Sequence, residues 1–275
     1  MAPEASFDTV PQLSGREQMM GIQRQFQTPQ IAMALAQKFG LEMAIVDRPV
    51  EAGLTGDFYR AIHQDGRFAI LFGDAISHGE EAAPTVNGIH QLLTPALEQV
   101  LLEESLKGDD VNIAQSILYL DEHLRRHREK IDLHFFGIPM MMVEIDKKNN
   151  LIHFANAGMV EGILLQNNHM AHLFSPGAQL GTMLDYKTVD SKPIDDQEKS
   201  VSFSNGDILV LMTDGVDADK RPNPDREEFD SRREHIEAFL QTPEATTLDA
   251  EQLASRIADF VKNGNDDITI LVVRL

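Results

Sequence analysis

Four short segments, far apart in the chain, each put an aspartate where an apolar, strand-forming run begins or ends. They are Gly56-Asp57-Phe58-Tyr59, Gly73-Asp74-Ala75-Ile76-Ser77-His78-Gly79, Thr213-Asp214-Gly215 and Asn265-Asp266-Asp267-Ile268-Thr269. Carboxylates at buried strand ends are costly unless a cation or a hydrogen-bond network compensates them. A fold that carries all four therefore has to supply positive charge where those strand ends meet. Hard oxygen ligands of this kind suit Mg²⁺ or Mn²⁺ far better than zinc.

The chain has 275 residues, enough for one large domain or two small ones. Because motifs near both ends must share a site, we read one domain over residues 23–275, preceded by a loose tail and helix start over 1–22. The net charge of −20 argues against nucleic acid and anionic membranes as partners. No apolar run approaches the ~20 residues that span a bilayer, and the N-terminus lacks a basic-then-apolar leader pattern. A cytoplasmic location is the expectation. Cysteine is absent, which excludes disulfides, thiol catalysis and Cys-ligated zinc.

Local patterns give the element order. A helical pattern covers Arg16 to Phe39, with Thr28-Pro29 as cap and first-turn residue and Gly40 as terminator. A strand follows over Glu42 to Val50, then a hairpin of Phe58 to Gln64 and Arg67 to Phe72 around Asp65-Gly66. Two helices come next, Glu81 to Leu106, which Pro95 is expected to kink or divide, and Val111 to Lys130. Phe135–Ile145, Leu151–Asn156, Gly162–Gln166 and Met170–Phe174 read as meandering strands between turn-type clusters. Met140-Met141-Met142 is strand core. Lys199 to Phe203 and Asp207 to Met212 pair through Ser204-Asn205-Gly206. Helices at Glu227–Gln241 and Leu248–Lys262, the latter with a hydroxyl cap at Thr247, precede the apolar strand Ile268 to Leu275. This order suggests antiparallel sheets packed together with helices outside.

In such an arrangement Asp57 and Asp74 sit across neighbouring strands, and Asp214 and Asp266 lie at the tips of two others. Unpaired, the four would repel one another and hold their protons. A pair of divalent ions removes that penalty and provides a hydrolytic water for in-line attack on phosphorus.

Together with Asn156-Ala157-Gly158, Gly177-Ala178-Gln179-Leu180-Gly181, Gly206-Asp207 and Val216, these segments resemble the PPM-type (type 2C) Ser/Thr protein phosphatases, in particular their SpoIIE-like bacterial branch. The resemblance runs from about Gln23 to Leu275. It implies an α+β fold, a four-layer αββα sandwich of two mainly antiparallel sheets flanked by helices. It also implies two Mn²⁺ or Mg²⁺ ions, with Asp74 bridging both, Asp214 and Asp266 completing one site, and Asp57 and the Ala75 backbone carbonyl completing the other. The implied reaction is hydrolysis of a phosphoserine or phosphothreonine ester on a regulatory protein. An STAS-type anti-anti-sigma factor in a partner-switching pathway is the implied substrate class. His78 is a candidate proton donor to the leaving alkoxide. Asp267 is read as capping the last strand. Control would come from a partner, from a homodimer, or from the Arg16–Phe39 region.

Three positions depart from the family pattern. Arg60 follows Tyr59 where an acid is common, Met159-Val160 replaces His-Pro after Gly158, and Asp217-Ala218-Asp219 lacks the usual glutamate. They motivate an alternative: a pseudophosphatase adaptor that binds a phosphoprotein or an anti-sigma factor without turnover.

Overall fold

The last strand, Ile268–Arg274 (β10), organises the first sheet. In the computed structural model, which describes residues 15–26, 28–50, 53–64, 67–75, 77–107, 113–127, 137–167, 169–174, 179–181, 199–216, 232–261 and 266–275, β10 lies between Glu42–Arg48 (β1) and Ile208–Met212 (β9), antiparallel to both. Gly162–Gln166 (β6) and His169–Leu173 (β7) extend that sheet to the order β1-β10-β9-β6-β7. The second sheet runs β2-β3-β4-β5-β8, from Asp57–Gln64, Arg67–Asp74, Met140–Asp146, Leu151–Ala157 and Lys199–Ser202. Every strand pair is antiparallel.

Period-two alternation divides the apolar residues between two faces. Leu271 and Val273 of β10 face the other sheet and meet a core that includes Phe68, Ile70, Phe72, Met141 and Val143. Ile270 and Val272 face outward, onto Ala250–Asp259 (α7) and Arg232–Leu240 (α5), through Leu253, Ile257, Ile236 and Leu240. On the second sheet, Leu71, Met140 and Met142 face Gly79–Lys107 (α3) and Ile113–His127 (α4), through Val86, Ile89, Leu93, Ile117 and Leu124. Three apolar interiors between four layers make the expected αββα sandwich.

Details differ from the sequence reading. β8 and β9, expected to pair through Ser204-Asn205-Gly206, lie in different sheets, β8 beside β5 and β9 between β10 and β6, because the chain crosses from one layer to the other at that turn. The N-terminal helical region is two helices, Gly15–Phe26 (α1) and Pro29–Lys38 (α2). Thr28 is the cap of the second, and Gly40 ends it at φ +76°. Ala32 and Ala36 of α2 join the inter-sheet core beside β1 and β2. Helix α3 runs undivided through Pro84 and Pro95, because the buried stripe of Ile89, Leu93, Ala96 and Leu97 holds the turns on either side. The C-terminal helix is capped by Asp249, reciprocally with Gln252, and not by Thr247. Thr247 ends a separate short helix, Pro243–Thr247 (α6). The Asp65-Gly66 turn and the residues expected to open the strand at 135 and the helix at 227 lie outside the described residues. Among the described residues, no helix is long and apolar enough to cross a membrane.

Candidate metal centre

Strands β2 and β3 pair so that the first residue of one faces the last of the other, and Asp57 is the Cα partner of Asp74. Such cross-strand neighbours stand about 5 Å apart at Cβ. From the other sheet, Asp214 leaves β9 in a 3-10 turn, Asp214–Val216, and Asp266 enters β10. Their strands are neighbours, and Thr213 N–H donates to the Thr269 carbonyl at 3.1 Å. The sandwich thereby gathers all four acids at one end, two from each sheet.

Asp57 is 1% exposed. Burial drives its pKa well above the usual carboxylate range, the Thr213 and Thr269 hydroxyls pull it back, and Asp47 and Asp267 push it up again. The Thr213 hydroxyl donates to Asp57 Oδ2 at 2.9 Å and accepts Thr269 N–H at 2.9 Å, so one side chain stitches the two sheets together beside the acids. Asp74 is pushed up to about 10, first by burial, then by the charges of Asp57 and Asp214, a hydrogen bond shared with Asp214, and Asp266. Asp266 is raised too, by burial first. The Asp267 amide lowers it, the Asp214 and Asp267 charges raise it, and His78 lowers it. His78 itself is exposed and faces Asp266 closely enough for that effect. Ala75 N–H donates to the Gly56 carbonyl at 2.8 Å. Its own carbonyl oxygen lies 3.0 Å from where a Cβ on Gly56 would sit, and that of Ser77 lies 2.5 Å away. Only glycine fits between these oxygens. Ser77 holds φ at +82°, local strain of the sort that collects at functional loops.

The residue least legible in the sequence is Asp267. It is 2% exposed and does not simply cap its own strand. Its Oδ1 accepts Val50 N–H at 2.7 Å, and its Oδ2 accepts Gly56 N–H at 2.6 Å and Gly79 N–H at 3.4 Å. One carboxylate thus fastens the loop after β1, the approach to Asp57 and the start of α3. The only sequence signal was a second acid beside Asp266. Asp47 was also missed. It pairs with Thr269 across β1 and β10, and burial followed by the Asp267 charge raises it to about 6. Its Oδ1 and the buried Tyr59 hydroxyl have no hydrogen-bond partner.

Among the described residues, no three Asp, Glu or His side chains close on one point at metal-binding distance. The acids are close enough that burial and the charges of Asp57, Asp214 and Asp266 raise Asp74, a penalty that a cation removes when it neutralises such a cluster. The donor set is all oxygen and carries several formal negative charges, and it fits Mg²⁺ or Mn²⁺.

The departures from the family pattern are accommodated locally. Asn156 closes its own turn, donating to the Met159 carbonyl at 2.9 Å and accepting Met159 N–H at 2.7 Å, without His-Pro. Arg60 pairs with Glu98 at 3.4 Å. Residues 217–219 lie outside the described residues.

The family model for stage II sporulation protein E (SpoIIE) matches residues 64–275. The chain belongs to the SpoIIE family. The matched part holds Asp74, Asp214 and Asp266, while Asp57 precedes it. No curated protein matches the sequence. Solved structures share the fold. The SiaA-PP2C domain of Pseudomonas aeruginosa is 19% identical with a TM-score of 0.65, over 94% of this chain and 95% of that one. The RsbU and RsbW domains of Rv1364c from Mycobacterium tuberculosis are 16% identical with a TM-score of 0.64, over 85% of this chain. The PP2C phosphatase domain of SpoIIE from Bacillus subtilis, with a fragment of its regulatory domain, is 17% identical with a TM-score of 0.62, over 86% of this chain. The match covers 59% and 63% of the latter two chains. This SpoIIE-family chain therefore has the PP2C phosphatase fold.

Proposed function

We propose that the protein is a metal-dependent Ser/Thr phosphoprotein phosphatase acting on a phosphorylated regulatory protein, of the STAS anti-anti-sigma type. One observation carries this reading: two aspartates from each sheet meet at one end of a PP2C-type sandwich, with Asp74 perturbed by the other three. Family membership and the shared fold support it.

Asp57, Asp74, Asp214, Asp266 and the Ala75 carbonyl would hold two divalent ions. Such a pair, when bound, supplies Lewis acidity and a hydrolytic water at neutral pH. The chain's own residues prepare the rest. Thr213 orients Asp57, Asp267 fixes the loop before it, and the left-handed Ser77 turns the chain so that His78 stands exposed near Asp266, free to give a proton to a leaving alkoxide. The acidic surface disfavours nucleic acid as substrate. A cytoplasmic setting, with a second copy or a partner exerting control, completes the reading.

The adaptor alternative draws on the positions that depart from the family pattern, Arg60 and Met159-Val160 among them. Phosphate release from phosphoserine peptides with Mn²⁺, with and without chelator, separates the two. Turnover that chelator stops and Asp214→Asn abolishes supports the phosphatase. Peptide binding without release supports the adaptor.

A further inference from the structure

We propose that Gln23, on α1, is a positioning residue for Asp57, so that α1 is part of the catalytic unit; this rests on the metal-centre reading above. A glutamine amide rarely goes inside a protein, and burying it without partners is costly. Gln23 is nevertheless 4% exposed. Its Nε2 donates to the Thr55 carbonyl at 2.9 Å and its Oε1 accepts Thr55 N–H at 3.3 Å. Both backbone groups of one residue are thus held by one side chain, as a neighbouring strand would hold them.

Thr55 passes this constraint on. Its hydroxyl accepts Asp57 N–H at 3.0 Å. Gly56 is held from another side by Asp267 at 2.6 Å, and the Asp57 carboxylate by Thr213 at 2.9 Å. Three consecutive residues are each fixed by a different element, and α1 supplies the first clamp. The helix is itself seated. Arg16 pairs with Glu80 at 2.9 Å, Asn87 donates to the Met19 carbonyl at 3.4 Å, and Met20 lies on Gly53, where a Cβ would come within 2.3 Å of its methyl group. The exposed ion pair adds little; the buried amide is the specific contact. The family match begins at residue 64, so this clamp lies wholly outside the matched segment.

The test compares wild type with Gln23→Met, which keeps the side chain's length but neither donates nor accepts a hydrogen bond, and with Gln23→Glu, which keeps only the acceptor. Mn²⁺ affinity is measured by calorimetry, amide exchange is followed over residues 53–57, and phosphate release is recorded against Mn²⁺ concentration. Losing a group bonded directly to a metal ligand weakens metal binding about ten- to hundredfold, and Gln23, which acts one step further out through Thr55, should cost about tenfold at most. Gln23→Met should show that loss together with faster exchange at Thr55, recover its turnover at high Mn²⁺, and leave KM for peptide unchanged. Gln23→Glu should fall between. A folded Gln23→Met protein with wild-type Mn²⁺ affinity and wild-type exchange overturns the proposal; if that variant does not fold, Gln23→Glu decides by the same two readings. If wild type takes up no Mn²⁺, the metal reading fails. Exchange alone then decides this inference, faster exchange supporting it and unchanged exchange ending it.

Discussion

The carboxylate of Asp267 accepts the backbone N–H of Gly56 at 2.6 Å, joining residues 211 apart in the chain. Asp267→Asn puts an amide nitrogen against at least one of the N–H groups it now receives. Hydrogen bonds to charged groups contribute about 1.5–3 kcal/mol each, so we expect a loss of about 2–3 kcal/mol. In a chain of this size that is a fall in melting temperature of roughly 3–6 °C, read by calorimetry. An unchanged melting temperature would contradict the bridging role.

Thr213 is expected to matter through its oxygen. Thr213→Val keeps the shape but leaves Asp57 Oδ2 and Thr269 N–H, both now bonded to that hydroxyl, without it. We expect a cost of about 2–4 kcal/mol and at least a tenfold fall in phosphate release. Thr213→Ser should restore most of both, as urea unfolding and peptide turnover would report.

Two glycines predict contrasting outcomes. A Cβ on Gly215 would lie 1.9 Å from the Asp267 carbonyl oxygen, whereas one on Gly206 meets nothing within 4 Å and only the positive φ of +94° opposes it. Gly206→Ala should cost about 1–2 kcal/mol. Gly215→Ala should cost about 3 kcal/mol or more and disturb the Asp214 turn. Equal stabilities would refute the close approach.

Stability should fall as pH rises through the range set by Glu144. It is buried at 2% exposure, and its pKa is raised from 4.5 to about 7, by burial first, against the opposing pull of Arg67. The folded state then binds a proton that the unfolded chain has released. The contribution is fully present below pH 4.5 and lost as pH passes 7, about 3 kcal/mol in all. Glu144→Gln should flatten that part of the profile, measured by urea unfolding at pH 5 and pH 8. A variant that declines as steeply as wild type would remove Glu144 as the cause.

Mn²⁺ should stabilise the fold without any substrate. A ligand at a hundred times its dissociation constant adds about 2.7 kcal/mol, which is a rise of roughly 5 °C here over chelator-treated protein. Asp214→Asn should lose most of that rise in a thermal scan.

The order of strands and helices made the layered sandwich legible, and the hairpin already set Asp57 beside Asp74. Which of Ile270, Leu271, Val272 and Val273 face the other sheet and which face the helices could not be read from a strand that is apolar throughout. What stayed hidden depends on contacts across long stretches of chain. No periodicity tells which member of Asp266-Asp267 turns inward, nor that Gln23 is buried while Arg24 beside it is exposed. Pro95 carries a local signal to break a helix, and tertiary packing along α3 overrides it. Thr247 and Asp249 are both competent caps, and Asp249 prevails because Gln252 can reciprocate.

Thr213 of one sheet bonded to Asp57 of the other means that the reactive end of the molecule is a seam. A slip of one sheet over its neighbour could leave the apolar filling almost intact while pulling the ligand pairs out of alignment. Turnover in this protein would then report, more sensitively than its melting behaviour, on how squarely the two halves are seated.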